Sequence, residues 1–198
     1  MITNGSDGAA GRGRLVVISG PSGAGKTSVC RALKQRPDVE FSVSATTRAR
    51  RAGEQDGVDY HFLSREQFEQ RIAAGQFLEW ASYNGNLYGT PRWPMDAALV
   101  RGKTFLVEIE VDGTRQLRAG RVPGIYLFIA PPSIDELRAR LVRRGSNEPA
   151  EIEQRVAIAI REIEAATSLV GGVRLYDHVL ENVDLAATIR RVEELLWS

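Results

Sequence analysis

The residues Gly20-Pro21-Ser22-Gly23-Ala24-Gly25-Lys26-Thr27 have the spacing GxxxxGKT, and they follow directly on the apolar run Leu15-Val16-Val17-Ile18. Apolar strand, glycine-rich turn and helix in that order make a cradle for phosphate groups. Glycines let successive backbone N–H groups turn inward, the helix that follows adds the positive end of its dipole, a lysine reaches the outer phosphates and a threonine hydroxyl can ligate magnesium. Gly20, Pro21, Ser22, Gly23, Ala24, Gly25, Lys26 and Thr27 are therefore candidates for the phosphates of a nucleoside triphosphate. Lys26 is the catalytic candidate among them and Thr27 the Mg²⁺ ligand. The alternative is a plain glycine-rich turn, which gives no reason for lysine and threonine to stand in register.

A triphosphate site says nothing of the acceptor. In Ser44-Ala45-Thr46-Thr47-Arg48-Ala49-Arg50-Arg51-Ala52-Gly53-Glu54 three arginines and several hydroxyls share one loop. The planar guanidinium suits a bidentate grip on an anion such as phosphate. Tyr60 and Tyr88 can add phenolic donors, whereas taken alone the cluster also reads as a solvated charge run. Glu108-Ile109-Glu110 ends the apolar strand Thr104 to Val107, at the carboxyl edge where open α/β sheets bind ligands; a solvated strand end is the other reading. Arg140 and Arg144, four apart, share one helix face. Arg138 and Arg143 read as solvated, and His61 and His178 have no metal-ligand spacing. Trp80, Trp93 and Trp197 read as packing residues.

The elements that must hold these groups alternate. Apolar runs at Leu15 to Ile18, Thr104 to Val111, Ile125 to Ala130 and His178 to Leu180 predict strands covered on both faces, as in a parallel sheet under helices. Helices are expected at Lys26 to Gln35, Pro94 to Arg101, Ser133 to Arg144 with a Ser133/Glu136 capping box, and Pro149 to about Leu169. The last of these carries Ile152, Val156, Ile160 and Ile163 on one face. Asp184 caps a final helix ending near Trp197, and Gly171-Gly172 reads as a helix stop. Residues 41 to 90 break the rhythm. Strands at Phe41 to Thr46, Tyr60 to Leu63 and Phe77 to Tyr83 surround a helix from Ser64 to Ala74, and Asn84-Gly85 marks a hairpin.

At 198 residues and 43% hydrophobic content the chain can bury one core, and Lys+Arg at 26 against Asp+Glu at 25 gives a net charge of +1. No global field points to nucleic acid or an anionic membrane. Cys30, the lone cysteine, reads as a buried thiol in a reducing cytoplasm. No apolar run nears the ~18 residues of a membrane span, and residues 1–13 do not resemble a secretory signal but a disordered tail.

The strings GPSGAGKTS, FSVSATTR followed by RAGE, GVDYHF, FLEWASYNGNLYG, IAPPS and RLVRRG, in that order from Leu15 onward, resemble guanylate kinase. The resemblance implies an α/β P-loop NTPase-type parallel sheet flanked by helices, with an inserted mixed β lobe that binds GMP and a small helical lid. It divides the chain into a core (14–40, 91–139 and 170–198), a GMP-binding lobe (41–90) and a lid (about 140–169), with Gly145 to Pro149 a hinge or lid tip. It implies a phosphotransferase using Mg²⁺ and the partners ATP and GMP, with neither nucleic acid nor membrane, in the cytoplasm. Positions matching Arg48, Arg51, Tyr60 and Tyr88 hold the GMP phosphate, with Glu54 and Glu108 also on the GMP side. Those matching Ser44, Glu79 and Thr90 read the guanine. Guanine presents two adjacent donors that one carboxylate accepts together, although periodicity alone reads Glu79 as an exposed strand residue. Arg140, Arg144 and Arg155 match catalytic lid arginines. Asn182 matches a position near the ATP adenine, or else is a turn residue before Asp184. Where the family usually has two Asp followed by Gln-Gly, this chain has Glu108, Glu110 and Asp112-Gly113, and Glu110 reaches the metal through water. A P-loop kinase with another phosphorylated acceptor, or a guanylate kinase-like binding module without catalysis, are the alternatives.

Overall fold

The computed structural model describes residues 13–143, 148–170 and 173–197. Residues 1–12, and with them nearly all of the expected tail, lie outside the described residues, as do Arg144, most of the expected hinge and Gly171-Gly172. The chain opens with β1 (Arg14–Ser19), α1 (Lys26–Leu33), β2 (Val39–Phe41), β3 (Ala45–Thr46), β4 (His61–Phe62) and α2 (Arg65–Ala73). It continues through β5 (Phe77–Tyr83), β6 (Asn86–Pro91), α3 (Arg92–Val100), β7 (Thr104–Glu108), α4 (Val111–Ala119) and β8 (Ile125–Ala130). It ends with α5 (Ile134–Arg143), α6 (Pro149–Thr167), β9 (Leu169–Val170), β10 (Val173–Arg174), β11 (His178–Glu181) and α7 (Leu185–Trp197).

A five-stranded parallel sheet runs β11-β8-β1-β7-β2, so the chain leaves β1 toward one edge and later crosses to the other. The carboxyl end of β1 is thus the switch point at which open α/β sheets bind ligands. Alternate residues of β1 explain its unbroken hydrophobicity. Leu15 and Val17 pack with Phe105, Val107 and Phe128 under α3 and α4, while Val16 and Ile18 pack with Leu106 and Ile129 under α1 and α7.

The second sheet, β4-β3-β6-β5, mixes one parallel pair with antiparallel ones. Its β5–β6 hairpin turns at Asn84 and Gly85, whose φ of 46° and 76° suit the tight turn that follows the twist of the strands. Phe68 of α2 is fully buried and stacks on Phe77 at 4.3 Å between ring centroids, with Ala45 and Leu87 completing that core. The capping box of α2 forms, Ser64 Oγ accepting from the Gln67 N–H and Gln67 Oε1 from the Ser64 N–H.

Five expectations need correction. The run Phe41 to Thr46 is two strands: β2 joins the parallel sheet beside β7, the Ser42 N–H still bonds to Leu106, and only β3 belongs to the inserted sheet. The strand expected through Val111 ends at Glu108, because Val111, Thr114 and Leu117 bury at helical spacing in α4. On α6 Ala159 rather than Ile160 faces α5: Ala159 packs with Leu137, Leu141, Ile152 and Val156, whereas Ile160 is 40% exposed. The Ser133/Glu136 box is half formed, since the Glu136 N–H bonds to Ser133 Oγ while its carboxylate holds Arg140 and Arg143. Arg138 is not merely solvated either, for it bridges α5 to Glu153 of α6 at 2.9 Å.

Phe68→Ala should cost about 3–5 kcal/mol by opening a cavity in the small lobe. Urea unfolding reads this directly, and a loss under about 1 kcal/mol would show that the Phe68–Phe77 stack does not hold the lobe together.

Candidate active site

The loop from Gly20 to Thr27 starts at the end of β1 and runs into α1. Gly25 has φ 100°, and a side chain there would collide with the Asn182 amide. Asn182, 4% exposed, donates from Nδ2 to the Ala24 carbonyl at 2.7 Å, accepts from Thr188 Oγ1 at 3.1 Å and donates its own N–H to Ala130 O. It props the loop from behind. Lys26 Nζ bonds to the Pro21 carbonyl at 3.2 Å. Burial pulls the Lys26 ammonium below its ordinary value, against the opposing charges of Glu108, Glu162 and Glu110.

Thr27 Oγ1 donates to Glu108 Oε1 at 2.7 Å, so the end of β7 and the start of α1 bring two hard oxygens together beside Lys26. This all-oxygen pair fits Mg²⁺, which takes one or two protein oxygens and fills its other positions with phosphate and water. No group of three or more His, Cys, Asp or Glu stands together as a metal cluster among the described residues.

From the far side, Arg155 of α6 donates to Ser22 Oγ at 3.1 Å, and Arg140 of α5 donates to Glu136 at 2.9 Å and to the Asn182 carbonyl at 3.0 Å. Gly23, Gly25, Ser28, Arg140, Val183 and Leu185 line a cavity of about 450 Å³ next to the loop. Asn182 is in its wall, so the loop prop and the position expected near an adenine are the same residue.

In the inserted lobe Thr90, 1% exposed, donates to Glu79 Oε1 at 2.6 Å. Burial pushes the Glu79 carboxyl above its ordinary value, the Thr90 bonds oppose this, and the charge of Glu110 adds to the rise. The charge of Glu110 acts on both Lys26 and Glu79. Arg48 grips Glu54 with two bonds of 2.7 and 3.1 Å, and the Arg51 N–H bonds to the same carboxylate. The Arg48 guanidinium lies 5.5 Å from the Tyr60 ring, and Tyr60 meets Tyr88 edge-on at 6.2 Å. Arg51 is exposed, and Ser44 is half-buried with its carbonyl bonded to the His61 N–H.

Two residues escaped the sequence reading. Glu162 on α6 feels Lys26, Glu110, Asp112 and Arg115. Its signal was available, since it lies seven residues, two turns, after Arg155 on the same helix face. Gln116 bonds to the main chain of Trp80, 36 positions away, and nothing local announces that. Trp80, expected as a packing residue, is 40% exposed.

A parallel sheet with a phosphate loop at its switch point, a threonine–carboxylate pair beside the loop lysine and a second polar site across from it define a P-loop phosphotransferase. A sequence model of guanylate kinase matches residues 12–198. The guanylate kinase of Enterococcus faecalis is 42% identical over 189 residues, covering 94% of this chain and 89% of that protein. That of Carboxydothermus hydrogenoformans is 43% identical over 186 residues, covering 93% and 88%. The crystal structure of guanylate kinase from Anaplasma phagocytophilum superposes with a TM-score of 0.65 at 31% identity, covering 93% of this chain and 84% of that one. The chain belongs to the guanylate kinase family and is an enzyme, a nucleoside monophosphate kinase. No helix among the described residues is long and apolar enough to cross a membrane.

Glu162 makes stability depend on pH. Burial pushes its carboxyl up from 4.5 to about 7, Lys26 opposes the shift, and Glu110 and Asp112 add to it. The native state therefore keeps a proton that the unfolded chain releases at lower pH, so stability falls as pH rises from 4.5 to about 7 and the penalty is complete above that. Glu162→Gln should remove this slope, leaving the variant ahead of the parent at about pH 8 and near it at about pH 4 in denaturant midpoints. Parallel curves over that range would show that Glu162 does not titrate there.

Proposed function

We propose that the two halves of the site divide the work of one reaction, the transfer of the γ-phosphoryl group of ATP to GMP with release of ADP and GDP. Such a transfer asks little covalent chemistry of a protein, so its residues act by positioning groups and by neutralising charge. The loop Gly20 to Thr27 cradles the ATP phosphates, and Lys26 exchanges its bond to Pro21 for the outer ones. Val183 and Leu185 give the adenine an apolar rim.

Thr27 and Glu108 hold Mg²⁺, which when bound would screen the phosphate charge. This gives Glu108 to the metal, where the resemblance had put it on the GMP side, and leaves Glu110 between the two nucleotides. Arg140 and Arg155 close over the triphosphate, and Arg144 joins them by its spacing of four from Arg140. Arg48, Arg51, Tyr60 and Tyr88 take the GMP phosphate, with Glu54 orienting Arg48. Glu79 and Thr90 meet the guanine edge, with Ser44 beside them. Lone, buried Cys30, its thiol pushed up by burial, fits a cytoplasmic enzyme.

The observation that supports this reading is the Glu79–Thr90 bond, which holds a carboxylate of the inserted lobe in one orientation, as reading a base edge would require. Its test is ADP formation with MgATP and GMP, dGMP, AMP, UMP or no acceptor. Strong GMP-dependent turnover with little idle ATP hydrolysis is expected, and turnover indifferent to the base would overturn it. Lys26→Ala should lower kcat by roughly 100-fold or more, on the scale of losing a donor to transition-state charge; near-normal turnover would remove Lys26 from catalysis. Glu79→Gln should raise the GMP KM by about 10- to 100-fold and leave the ATP KM in place, since a site that pairs given donors discriminates strongly once one partner is changed.

A further inference from the structure

Helix α4 packs along β5 of the inserted lobe, and the chemistry there is specific. Gln116 Oε1 accepts the Trp80 N–H at 3.1 Å while its Nε2 donates to the Trp80 carbonyl at 3.0 Å. One carboxamide thus takes both main-chain groups of a single residue. β5 is the edge strand of its sheet, so these outward N–H and C=O groups would otherwise face water, and Gln116 supplies the pair of bonds that a neighbouring strand would supply.

The residue so held follows Glu79 directly. β5 has a register irregularity between Phe77 and Glu79, so the ladder to β6 is broken at the point where the Glu79 side chain takes its direction. Gln116 fixes the main chain immediately after that break. One turn earlier on α4, Gly113 leaves the space into which Glu79 extends: a Cβ there would stand 3.2 Å from Glu79 Cγ and 3.3 Å from its Oε2. Leu78, on the other side of Glu79, is buried in the same cluster as Val111 of α4. Helix α4 itself begins after Glu110, two residues beyond the Glu108 that bonds Thr27. A rigid element therefore runs from the phosphate loop's partner to the base-reading carboxylate.

We propose that Gln116 is a positioning residue for base selection. Together with the gap at Gly113, it sets where the Glu79 carboxylate stands relative to the phosphate loop, and so governs the preference for GMP over other acceptors, without touching either nucleotide. The proposal rests on the reading of Glu79 as the residue that meets guanine. Recognition by two donors at once demands placement within a fraction of an ångström, which a residue on a broken ladder does not have unaided.

The test is steady-state kinetics on the full chain with MgATP and GMP or AMP. Gln116→Met keeps the length and loses both bonds, and Gln116→Glu keeps the acceptor for the Trp80 N–H. Gly113→Ala fills the gap while putting the better helix former into α4. Gln116→Met should raise the GMP KM about 10-fold, leave the ATP KM unchanged and narrow the GMP over AMP ratio of kcat/KM, with Gln116→Glu between it and the parent. Gly113→Ala should weaken GMP in the same way with an unchanged or raised Tm, which loss of stability alone would not produce.

In a Glu79→Gln background Gln116→Met should add nothing further to the GMP KM. An unchanged GMP KM in both Gln116→Met and Gly113→Ala, equal rises in the ATP and GMP KM, or effects that add fully to Glu79→Gln would each overturn the proposal. If Gln116→Met does not fold, Gly113→Ala alone and combined with Glu79→Gln decides it. Should Glu79→Gln leave the GMP KM unchanged, the underlying reading of Glu79 fails; should it weaken GMP while the α4 variants do not, only the positioning role fails.

Discussion

The shape of the loop from Gly20 to Thr27 depends on the Ala24 carbonyl being held by Asn182. A phosphate loop must turn its N–H groups toward the ligand, which sends carbonyls to the rear, where burial without partners costs about 1–3 kcal/mol apiece. Asn182 meets that demand at 2.7 Å and is itself satisfied by Thr188 and Ala130, so the buried polar group has partners on every side. Three elements converge on it: the loop at Ala24, the end of β8 and the first turn of α7. Its own carbonyl accepts Arg140 at 3.0 Å, so the α5 arginine is registered to the same residue that sets the loop.

In front of the loop the electrostatics run the other way. Glu108, Glu110 and Glu162 surround one buried ammonium, Lys26, and Glu110 also acts on Glu79. Burial first, and the charge of Glu110 after it, raise the carboxyls of Glu162 and Glu79, while Lys26 opposes the rise at Glu162. A triphosphate brought into such a ring would be repelled unless cations came with it. On the reading proposed above, the all-oxygen pair Thr27–Glu108 with its metal and the arginines of α5 and α6 would supply that compensation, so the acidic ring and a divalent ion would answer to one another.

Much of this was legible in the sequence because the signals are local. The phosphate loop has fixed spacing, β1 from Leu15 to Ile18 and β8 from Ile125 to Ala130 are near-continuous apolar runs because both faces are covered, and Ser64/Gln67 and Asn84-Gly85 carry their own turn and cap chemistry. Helix α4 was not legible: Val111 and Leu117 are its only large apolar anchors, and Gly113 interrupts it, so the preceding apolar strand absorbs its first residue. The division of Phe41 to Thr46 was invisible for another reason, since what separates β2 from β3 is the pairing of Val39 to Phe41 with β7, more than 60 positions on. The roles of Glu108 and Gln116 likewise depend on partners 81 and 36 positions away, which no periodicity encodes.

The arginines on the two sides of the site share a logic that follows from their partners. Arg48 is held by Glu54 with side chains 15% and 19% exposed, Arg140 by Glu136 and Arg155 by Ser22. A guanidinium free in water would lose rotamer freedom when it gripped a phosphate, and that loss would be subtracted from affinity. Holding each one beforehand on a side chain at the rim moves the ordering cost into folding. A phosphate dianion then has only to compete with a carboxylate or a hydroxyl for a group already aimed. The partners differ in strength, a bidentate carboxylate for Arg48 against a single hydroxyl for Arg155. Arg48 is therefore the more firmly placed of the two, and on the reading proposed above Arg155, on the helix that packs against α5, would be the freer to exchange Ser22 for phosphate.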